Sequence, residues 1–503
     1  MRINKIFSAS LALLLGWSGT ALAQNEIDAL RYTRLGITGS ARIQGIGGAQ
    51  TALGADISTI GVNPAGLGMF RRSEANLGIG FENNTTDSRF LGQTTPDERT
   101  TISIPHAGVV FSKRRSDDDT SSDWRGTTFG IGITRLNSFN NRTFYKGTTG
   151  PNDATILNYF AEQAYLNNRT AADLDDEFDN GITSLEGLAY GTYLLNFGSD
   201  GLPIDTLSNN ISIAEELERR GSQNQFDFAF GASFRDKVYL GASLGIITSS
   251  FTQERIYRES DSDVTTDFTS LELRDEFTTE GSGANLKVGV IIKPVDAFRF
   301  GLSLQTPTWY TFNEAYDRSL YSTLQSNGGP VENYSASELP GEFTYRLTTP
   351  FKANGGVAVF LSKYGFVTAD VEYIDYSSMR FSNDDSDGYG SYFSGVNSRI
   401  DDLYKSALNY KIGAEGRYEV FRLRAGYAVS ASPYKNSSLD AKINTLTVGA
   451  GVRLQKYYAD VAFTHSSGKK QYSPYTFEDA TFDPIVDLDN KQNNVMFTVG
   501  YNF

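Results

Sequence analysis

From about residue 72 to its last residue, the chain alternates apolar and polar side chains with a period of two, segment after segment. Side chains on a strand point to opposite faces in turn, so each such segment carries one greasy and one wet face. Near the end, Val495, Phe497, Val499, Tyr501 and Phe503 share one face, and Met496, Thr498, Gly500 and Asn502 the other. Likewise Leu446, Val448, Ala450, Val452 and Leu454 oppose Thr445, Thr447, Gly449, Gly451 and Arg453, and Phe421, Leu423, Ala425 and Tyr427 oppose Arg422, Arg424 and Gly426. The spacing predicts strands over 72–82, 102–112, 125–136, 224–235, 237–258, 267–293, 296–311, 341–362, 364–382, 406–418, 420–434, 441–455, 456–470 and 491–503. A water-soluble sandwich would alternate as well, so the connections decide. They are tight at 235–237, 294–296, 362–364 and 418–420, and long and polar at 137–223, 312–340, 383–405 and 471–490. The turn at 113–124 is longer than this pattern expects. Short turns at one end, long loops at the other and an even strand count belong to a membrane barrel. The predicted fold is an all-β membrane protein, a 14-stranded antiparallel transmembrane β-barrel over residues 72–503.

Ahead of the strands stands 39–70, GSARIQGIGGAQTALGADISTIGVNPAGLGMF, rich in glycine and small residues and without a helical or alternating period. It carries too little apolar side chain to offset the entropy of ordering by itself. Residues 24–71 are therefore expected as a hatch, or plug, inside the lumen. Candidate hatch and gating residues are Gly45, Gly47, Gly48, Asn63, Pro64, Ala65 and Gly66. The glycines suit tight turns and close backbone approach. Pro64 fixes its own φ and biases Asn63 toward an extended shape; the Asn63 side chain then either bonds a wall or hatch amide or simply closes a turn.

Arg2 and Lys5, the apolar run 6–15 and Ala21-Leu22-Ala23 read as a signal peptide over 1–23, cleaved after Ala23. The expected location is the outer membrane, with lipid and lipopolysaccharide as surroundings. No cysteine is present, which excludes disulfides, thiolate metal sites and an N-terminal lipid anchor. A net charge of −14 argues against nucleic acid. A mean hydropathy of −0.33, without a later apolar run of ~18 residues, leaves no helical span. The 28 Tyr and 33 Phe among 49 Gly suit barrel walls and their interfacial girdles.

The insertion 137–223 breaks the period and is expected as a large, partly helical extracellular loop. Asp153 to Leu166 fits an amphipathic helix with Leu157, Phe160, Ala161 and Ala164 on one side, and a second helical piece is expected near Ala214 to Arg220. Such a cap either packs loop on loop or captures an apolar ligand. The inward set on the later strands is charged: Lys287, Arg299, Lys411, Glu415, Arg417, Arg422, Arg424 and Arg453. Lying near the short turns, these either form salt bridges that hold the hatch or let Arg299, Lys411, Arg417, Arg422 and Arg424 grip a ligand head group.

No cofactor is expected. Gly45-Ile46-Gly47-Gly48 fails the dinucleotide spacing and follows no buried strand. No metal site is expected either, since Asp117-Asp118-Asp119 lacks the ligand spacing of a calcium loop. With only His106 and His465, far apart, nothing signals a catalytic constellation.

The stretch Ala41-Arg42 through Gly47-Gly48-Ala49, Thr51-Ala52-Leu53-Gly54, Asp56 and Asn63-Pro64-Ala65-Gly66-Leu67 resembles the N-terminal hatch of the FadL/TodX/OmpP1 outer-membrane transport family. Gln305-Thr306-Pro307-Thr308, Thr349-Pro350, Gly355-Gly356-Val357-Ala358, the DVEYIDY run from Asp370 to Tyr376, Gly413-Ala414-Glu415-Gly416-Arg417, Arg424-Ala425-Gly426-Tyr427 and Pro433-Tyr434 resemble its later strands. The style is closest to its divergent members in Bacteroidota. The resemblance implies a hatch-closed barrel for uptake of hydrophobic small molecules, long-chain fatty acids or aromatic hydrocarbons, that leave sideways through the wall. An alternative is a non-transporting barrel that serves as a subunit of an envelope secretion or assembly complex, with other envelope proteins as partners.

Overall fold

Every strand belongs to one antiparallel sheet, which closes through the ladder between its first and last members, Glu74↔Asn502 to Arg89↔Asp487. The structure, a computed structural model, describes residues 26–119, 121–151, 153–204, 210–263, 266–326, 329–383 and 390–503; the expected signal peptide lies outside them. The strand segments are β1 (Glu74–Phe90), β2 (Gln93–Arg114), β3 (Trp124–Ser138), β4 (Asn141–Thr148), β5 (Ser212–Phe234), β6 (Val238–Ser260), β7 (Phe268–Val295), β8 (Phe298–Gln305), β9 (Trp309–Leu324), β10 (Glu332–Ser337), β11 (Gly341–Thr348), β12 (Lys352–Phe360), β13 (Gly365–Asp375), β14 (Arg380–Ser382), β15 (Ser406–Tyr418), β16 (Phe421–Ser430), β17 (Ile443–Arg453), β18 (Tyr457–Tyr472) and β19 (Val486–Asn502). Some segments run on as one stave: β3 with β4, β8 with β9, β10 and β11 with β12, and β13 with β14. The closed wall therefore has 14 staves, as the alternation predicts. Pro307, Pro340 and Pro350 sit at three of the interruptions, where a residue without an N–H breaks the ladder. Closure leaves no unpaired sheet edge.

Outward positions hold exposed apolar side chains: Leu77, Ile79 and Phe81 on β1, Phe226, Phe228 and Phe230 on β5, Phe300 and Leu302 on β8, Phe497 and Val499 on β19. A belt of this extent would drive association in water; around a closed barrel it is the lipid-facing band. Exposed Trp124, Tyr364, Tyr418, Tyr457 and Phe503 stand beside the short turns, where amphipathic rings prefer the interface. No helix among the described residues is long and apolar enough to cross a membrane.

At the long-loop end the strands outrun the predicted ones. β1 and β2 continue through 83–101 to a turn at Leu91-Gly92, both at positive φ (45° and 77°). Polar residues occupy both faces there, so no apolar alternation marks the strands. β9 and β10 likewise fall within the expected loop 312–340. The helical piece expected at Ala214–Arg220 is corrected: these residues lie in β5, paired with both β4 and β6. Glu215 and Leu217 point inside, and this two-sided pairing overrides the helix preference of the run.

The cap carries α3 (Ile156–Leu166), α4 (Ala171–Asn180) and α5 (Leu185–Gly191). α3 starts at Thr155, whose N–H donates to Asn158 Oδ1 at 2.7 Å, and it buries Leu157, Phe160, Ala161 and Ala164 against Leu188, Tyr475 and Phe477. Below the cap a ladder of buried and half-buried charges crosses neighbouring staves: Glu215 to Arg255 at 3.0 Å, Arg255 to Asp275 at 3.0 Å, Asp275 to Arg318 at 2.5 Å and Arg318 to Glu338 at 3.2 Å. The stretch 383–405, read as a loop, contains α6 (Gly390–Leu403), which packs beside α1 (Glu26–Thr33); Tyr404 Oη donates to Glu26 O at 3.1 Å.

Candidate functional site

Residues 39–70 are built from short caps and turns. Ser40 caps α2 (Ala41–Gln44), its Oγ donating to Asp56 at 3.0 Å, while the Ser40 N–H donates to Ser58 Oγ at 2.6 Å. Asn63 opens the 3-10 turn Pro64–Met69: Oδ1 accepts from the Ala65 N–H at 3.1 Å, and Nδ2 donates to Thr51 O at 2.7 Å and to the wall carbonyl of Val290 at 3.3 Å. Pro64 sits at the first turn position, and Ala65 and Gly66 are buried. Gly47 and Gly48 take φ +67° and +75°, which other residues resist.

Wall hydroxyls and one carboxylate meet the exposed amides of this segment. Thr498 Oγ1 accepts from the Ala41 N–H at 2.9 Å, and Thr447 Oγ1 accepts from Gly47 N–H at 3.0 Å while donating to Gly45 O at 3.1 Å. Asp370 Oδ2 takes three donors: the N–H groups of Gln50 and Thr51 at 2.7 and 2.8 Å, and Thr51 Oγ1 at 2.7 Å. The wall opposite the backbone is glycine. A Cβ on Gly241 would stand 2.3 Å from Pro64 C, one on Gly301 2.1 Å from Thr51 O, and one on Gly426 2.3 Å from Gly47 N. Gly413 faces Ile46 O at 2.2 Å in the same sense.

The charged residues near the short turns are engaged. Arg424, fully buried, bridges Glu415 and Asp460 at 2.8 Å each; Arg417 pairs with Glu415 and Arg453 with Asp460, both at 2.8 Å. Arg42 of the N-terminal segment reaches Glu415 at 3.6 Å and Asp56 at 3.5 Å. Arg299 donates to Leu53 O at 2.5 Å, and Arg422 donates to the turn carbonyls of Glu419 and Phe421. Lys411 lines a cavity with Lys352 and Glu372, and Lys287 pairs with Asp227 at 3.0 Å.

Burial alone would raise the Asp56 carboxyl, but Arg42, His106 and the Ser58 donors outweigh it and hold it below the usual carboxylate range. A depressed folded value means that this stabilisation is complete above the unfolded value of about 3.9 and is lost as pH falls through the folded one. Ion conductance of the barrel in a planar bilayer is expected to stay flat from pH 8 to 5 and to rise below about pH 4, with the Asp56→Asn variant lacking that rise.

Above this layer lies a packed aromatic cluster. Tyr32 of α1 packs on Phe312 with ring centroids 4.4 Å apart and on Phe139 at 5.9 Å, and Tyr310, Tyr345, Phe251 and Phe381 complete the cluster. A cavity of about 80 Å³ separates Tyr32 and Tyr310 from Gly48 and Gln50 beneath. The wall beside it is incomplete. The β2–β3 ladder runs only from His106↔Thr134 to Arg114↔Gly126, and β4 pairs with β5 rather than β2. Above His106, residues 93–103 of β2 pair with β1 alone, and Ile104 and Pro105 fall in a register shift between Gly78 and Gly80. Ile102 and Ile104 stand there at 69% and 55% exposure. Higher up, Arg142–Asp97 and Arg99–Glu218 ion pairs close the break.

The sequence pattern marks the residues of 45–66 and the basic wall residues, but not Asp370, Thr447, Thr498, the facing glycines or the aromatic cluster as parts of one site. A small or hydroxyl residue recurring on the inward face was the available signal. No protein-family model matches the chain, and no curated protein matches it. Among solved structures, a FadL homologue of Pseudomonas aeruginosa superposes with a TM-score of 0.57 at 11% identity, over 94% of this chain and 100% of that one. The toluene transporter TodX of Pseudomonas putida matches with a TM-score of 0.52 at 13% identity, over 92% of this chain and 98% of that one. At such identities the shared property is the barrel fold.

Proposed function

We propose that this chain is a passive outer-membrane channel for small hydrophobic molecules, with residues 24–71 as its hatch. The observation that carries this reading is the buried aromatic cluster inside the barrel together with the break in the β2–β3 ladder beyond His106↔Thr134. The fold shared with a protein described as a toluene transporter supports it. An apolar solute gains about 0.8 kcal/mol per CH₂ on leaving water for apolar surroundings. The hatch, held by Asp370, Thr447 and Arg299, blocks the straight path, so the exit is sideways between Ile102 and Ile104 on β2 and the facing β3 into lipid. The hatch roles of Gly45, Gly47, Gly48, Asn63, Pro64, Ala65 and Gly66 are part of this proposal.

Locking the break tests it. Pro105 and Arg135 are the positions just past the last rung, His106↔Thr134, where the break begins, and the chain has no cysteine of its own. A Pro105→Cys, Arg135→Cys pair, oxidised, is expected to cut uptake of labelled toluene or oleate by cells at least about tenfold, the scale of a gate that closes a required route; reduction restores it. Unchanged uptake in the oxidised form would refute lateral exit.

A second reading, a subunit of an envelope complex, draws on apolar side chains exposed on the cap. Phe178 and Leu339 are both more than half exposed, and Tyr193 packs on Tyr334 at 4.5 Å. Stable co-purification with envelope proteins, lost on Phe178→Ser with Tyr193→Ser, would favour it over uptake.

A further inference from the structure

The break in the β2–β3 ladder lies between two anchored ends of β2. Below, pairing stops at His106↔Thr134, and the next residue of β2, Pro105, has no N–H with which to continue it. Above, the tip of the β1–β2 hairpin is pinned: Phe90 is 2% exposed, and its ring centroid lies 4.9 Å from that of Tyr145 on β4. Between these ends residues 93–103 of β2 pair with β1 alone, while β4 pairs with β5. Among the described residues no backbone hydrogen bond joins this run to β3 or β4.

What spans the gap is charge. Asp97 and Arg99 of β2 meet Arg142 of β4 and Glu218 of β5. Arg142 stands 3.5 Å from Asp97 and 2.7 Å from Glu216 of β5. Glu218 holds Arg220 at 2.8 Å as well as Arg99, and Arg220 reaches Glu254 of β6 at 3.5 Å. Two side-chain amides add contacts to β1: Asn84 Nδ2 donates to Asn140 O at 2.6 Å, and Asn141 Nδ2 to Thr86 Oγ1 at 3.4 Å. All of these groups lie beyond Ile102, which pairs with Phe81 at the top of the apolar band.

Solvent ions reach this network, since the Arg142 and Arg220 side chains are 44% and 50% exposed. Raising salt from physiological strength to about 1 M shortens the reach of a charge from about 8 Å to about 3 Å. A half-exposed ion pair shifts an equilibrium by no more than about fivefold, and two together by about 25-fold. A seam of that strength stays shut most of the time and parts without disturbing either anchor. The Glu218 carboxyl is held at about 2, by Arg220 foremost and, against burial, by Arg99. Its charge is therefore constant above that pH, and the Arg99 contact answers to salt without help from titration.

We propose that Asp97–Arg142 and Arg99–Glu218 form an ionic strap that holds β2 against β4 and β5, and that this strap makes the opening beside Ile102 and Ile104 depend on ionic strength. With both ends of the run fixed, β2 bows outward when the strap is screened. The inference rests on the sideways-exit reading and assigns that exit its control.

The test uses spin labels on Glu98→Cys and Lys146→Cys, exposed positions of β2 and β4 outside the strap in a chain without cysteine. Pulsed electron spin resonance in lipid nanodiscs reads the distance between them. One short distance is expected at about 50 mM sodium chloride, and a longer population, increased at least about fivefold, at about 1 M. Asp97→Asn with Arg99→Gln should show the longer population at both salt concentrations, whereas Arg99→Lys, which keeps the charge, should follow the native protein. The heat-dependent gel shift reports that each variant is folded. A distance that ignores salt with the strap intact, or that stays short in the neutralised variant, would overturn the strap. Uptake separates the strap from the exit. Cells carrying the neutralised variant are expected to take up labelled toluene about fivefold faster. A strap that opens in nanodiscs, with uptake indifferent both to its loss and to the Pro105→Cys, Arg135→Cys disulfide, would stand while sideways exit falls. Uptake blocked by that disulfide but unchanged by loss of the strap would keep the exit and overturn its control.

Discussion

Replacing Gly426 or Gly241 with valine yields a barrel that still folds but conducts ions. Both glycines face the lumen, and both lie against backbone rather than side chain. The first carbon added at Gly426 would stand 2.3 Å from Gly47 N, and at Gly241 2.3 Å from Pro64 C. A flexible side chain can swing away from such an overlap, whereas a peptide can yield only by moving its whole segment. Overpacking typically costs about 1–3 kcal/mol when a core adapts locally. Here the neighbouring hydrogen bonds of Gly47 to Thr447 and of Asn63 to Val290 are lost with the shift. The ladders of β6 and β16 are made with neighbouring wall strands, so the barrel itself is expected to fold. The measurement is single-channel conductance in planar bilayers together with the heat-dependent gel shift of a folded barrel. On the proposal that residues 39–70 plug the lumen, an open conductance on the order of a general porin is expected for either valine variant, against a closed native protein. A silent, folded Gly426→Val variant would show that residues 39–70 do not seal the channel.

Arg424→Met is expected to be the most destabilising single change in the lower lumen. Arg424 is fully buried and stands between Glu415 and Asp460, both nearly so. Removing it leaves two carboxylates packed among groups that the remaining arginines only partly neutralise. Breaking a buried pair on one side typically costs about 3–5 kcal/mol, because the orphaned charge stays behind. The unfolding midpoint, followed by gel shift in urea, should drop accordingly. Arg422→Met, on the same strand, is the control. Its guanidinium donates only to the turn carbonyls of Glu419 and Phe421, and such a change normally stays within about 0.5 kcal/mol. A triple replacement of Arg424, Glu415 and Asp460 by apolar residues should recover much of the loss, since it removes the desolvated charges together.

The staves inside the bilayer were legible because lipid on one side and a wet lumen on the other enforce alternation at every residue. Leu446 and Thr447, or Phe497 and Thr498, could not be exchanged without putting a methyl in water or a hydroxyl in hydrocarbon. That constraint ends above Phe81, where Asn83, Thr85 and Asp87 have water outside as well as polar partners inside, and the strands continue unseen. Ala214–Arg220 misled for a related reason: its alanine and glutamates favour a helix in isolation, while partners on both sides impose a strand. The site was harder still. Thr447 meets Gly45 and Gly47 from about 400 residues away, and no local pattern carries such a pairing. Glycine on the inward face was visible at 413 and 426, but which atoms it makes room for depends on the path of a segment without periodicity. Arg42 could be read as a basic residue of that segment, though not as the fourth arginine of the Glu415 and Asp460 cluster.

The ladder from Glu215 through Arg255, Asp275 and Arg318 to Glu338 ties together five adjacent wall segments beneath the cap, above the lipid band. It braces one arc of the mouth, five of the fourteen staves, from beneath the helices that rest on it. A loop exchanged above that arc, for a foreign epitope or a binding domain, is expected to leave the wall beneath it braced. The protein is in this sense a display scaffold whose mounting plate is electrostatic and whose working parts lie out of reach of the graft.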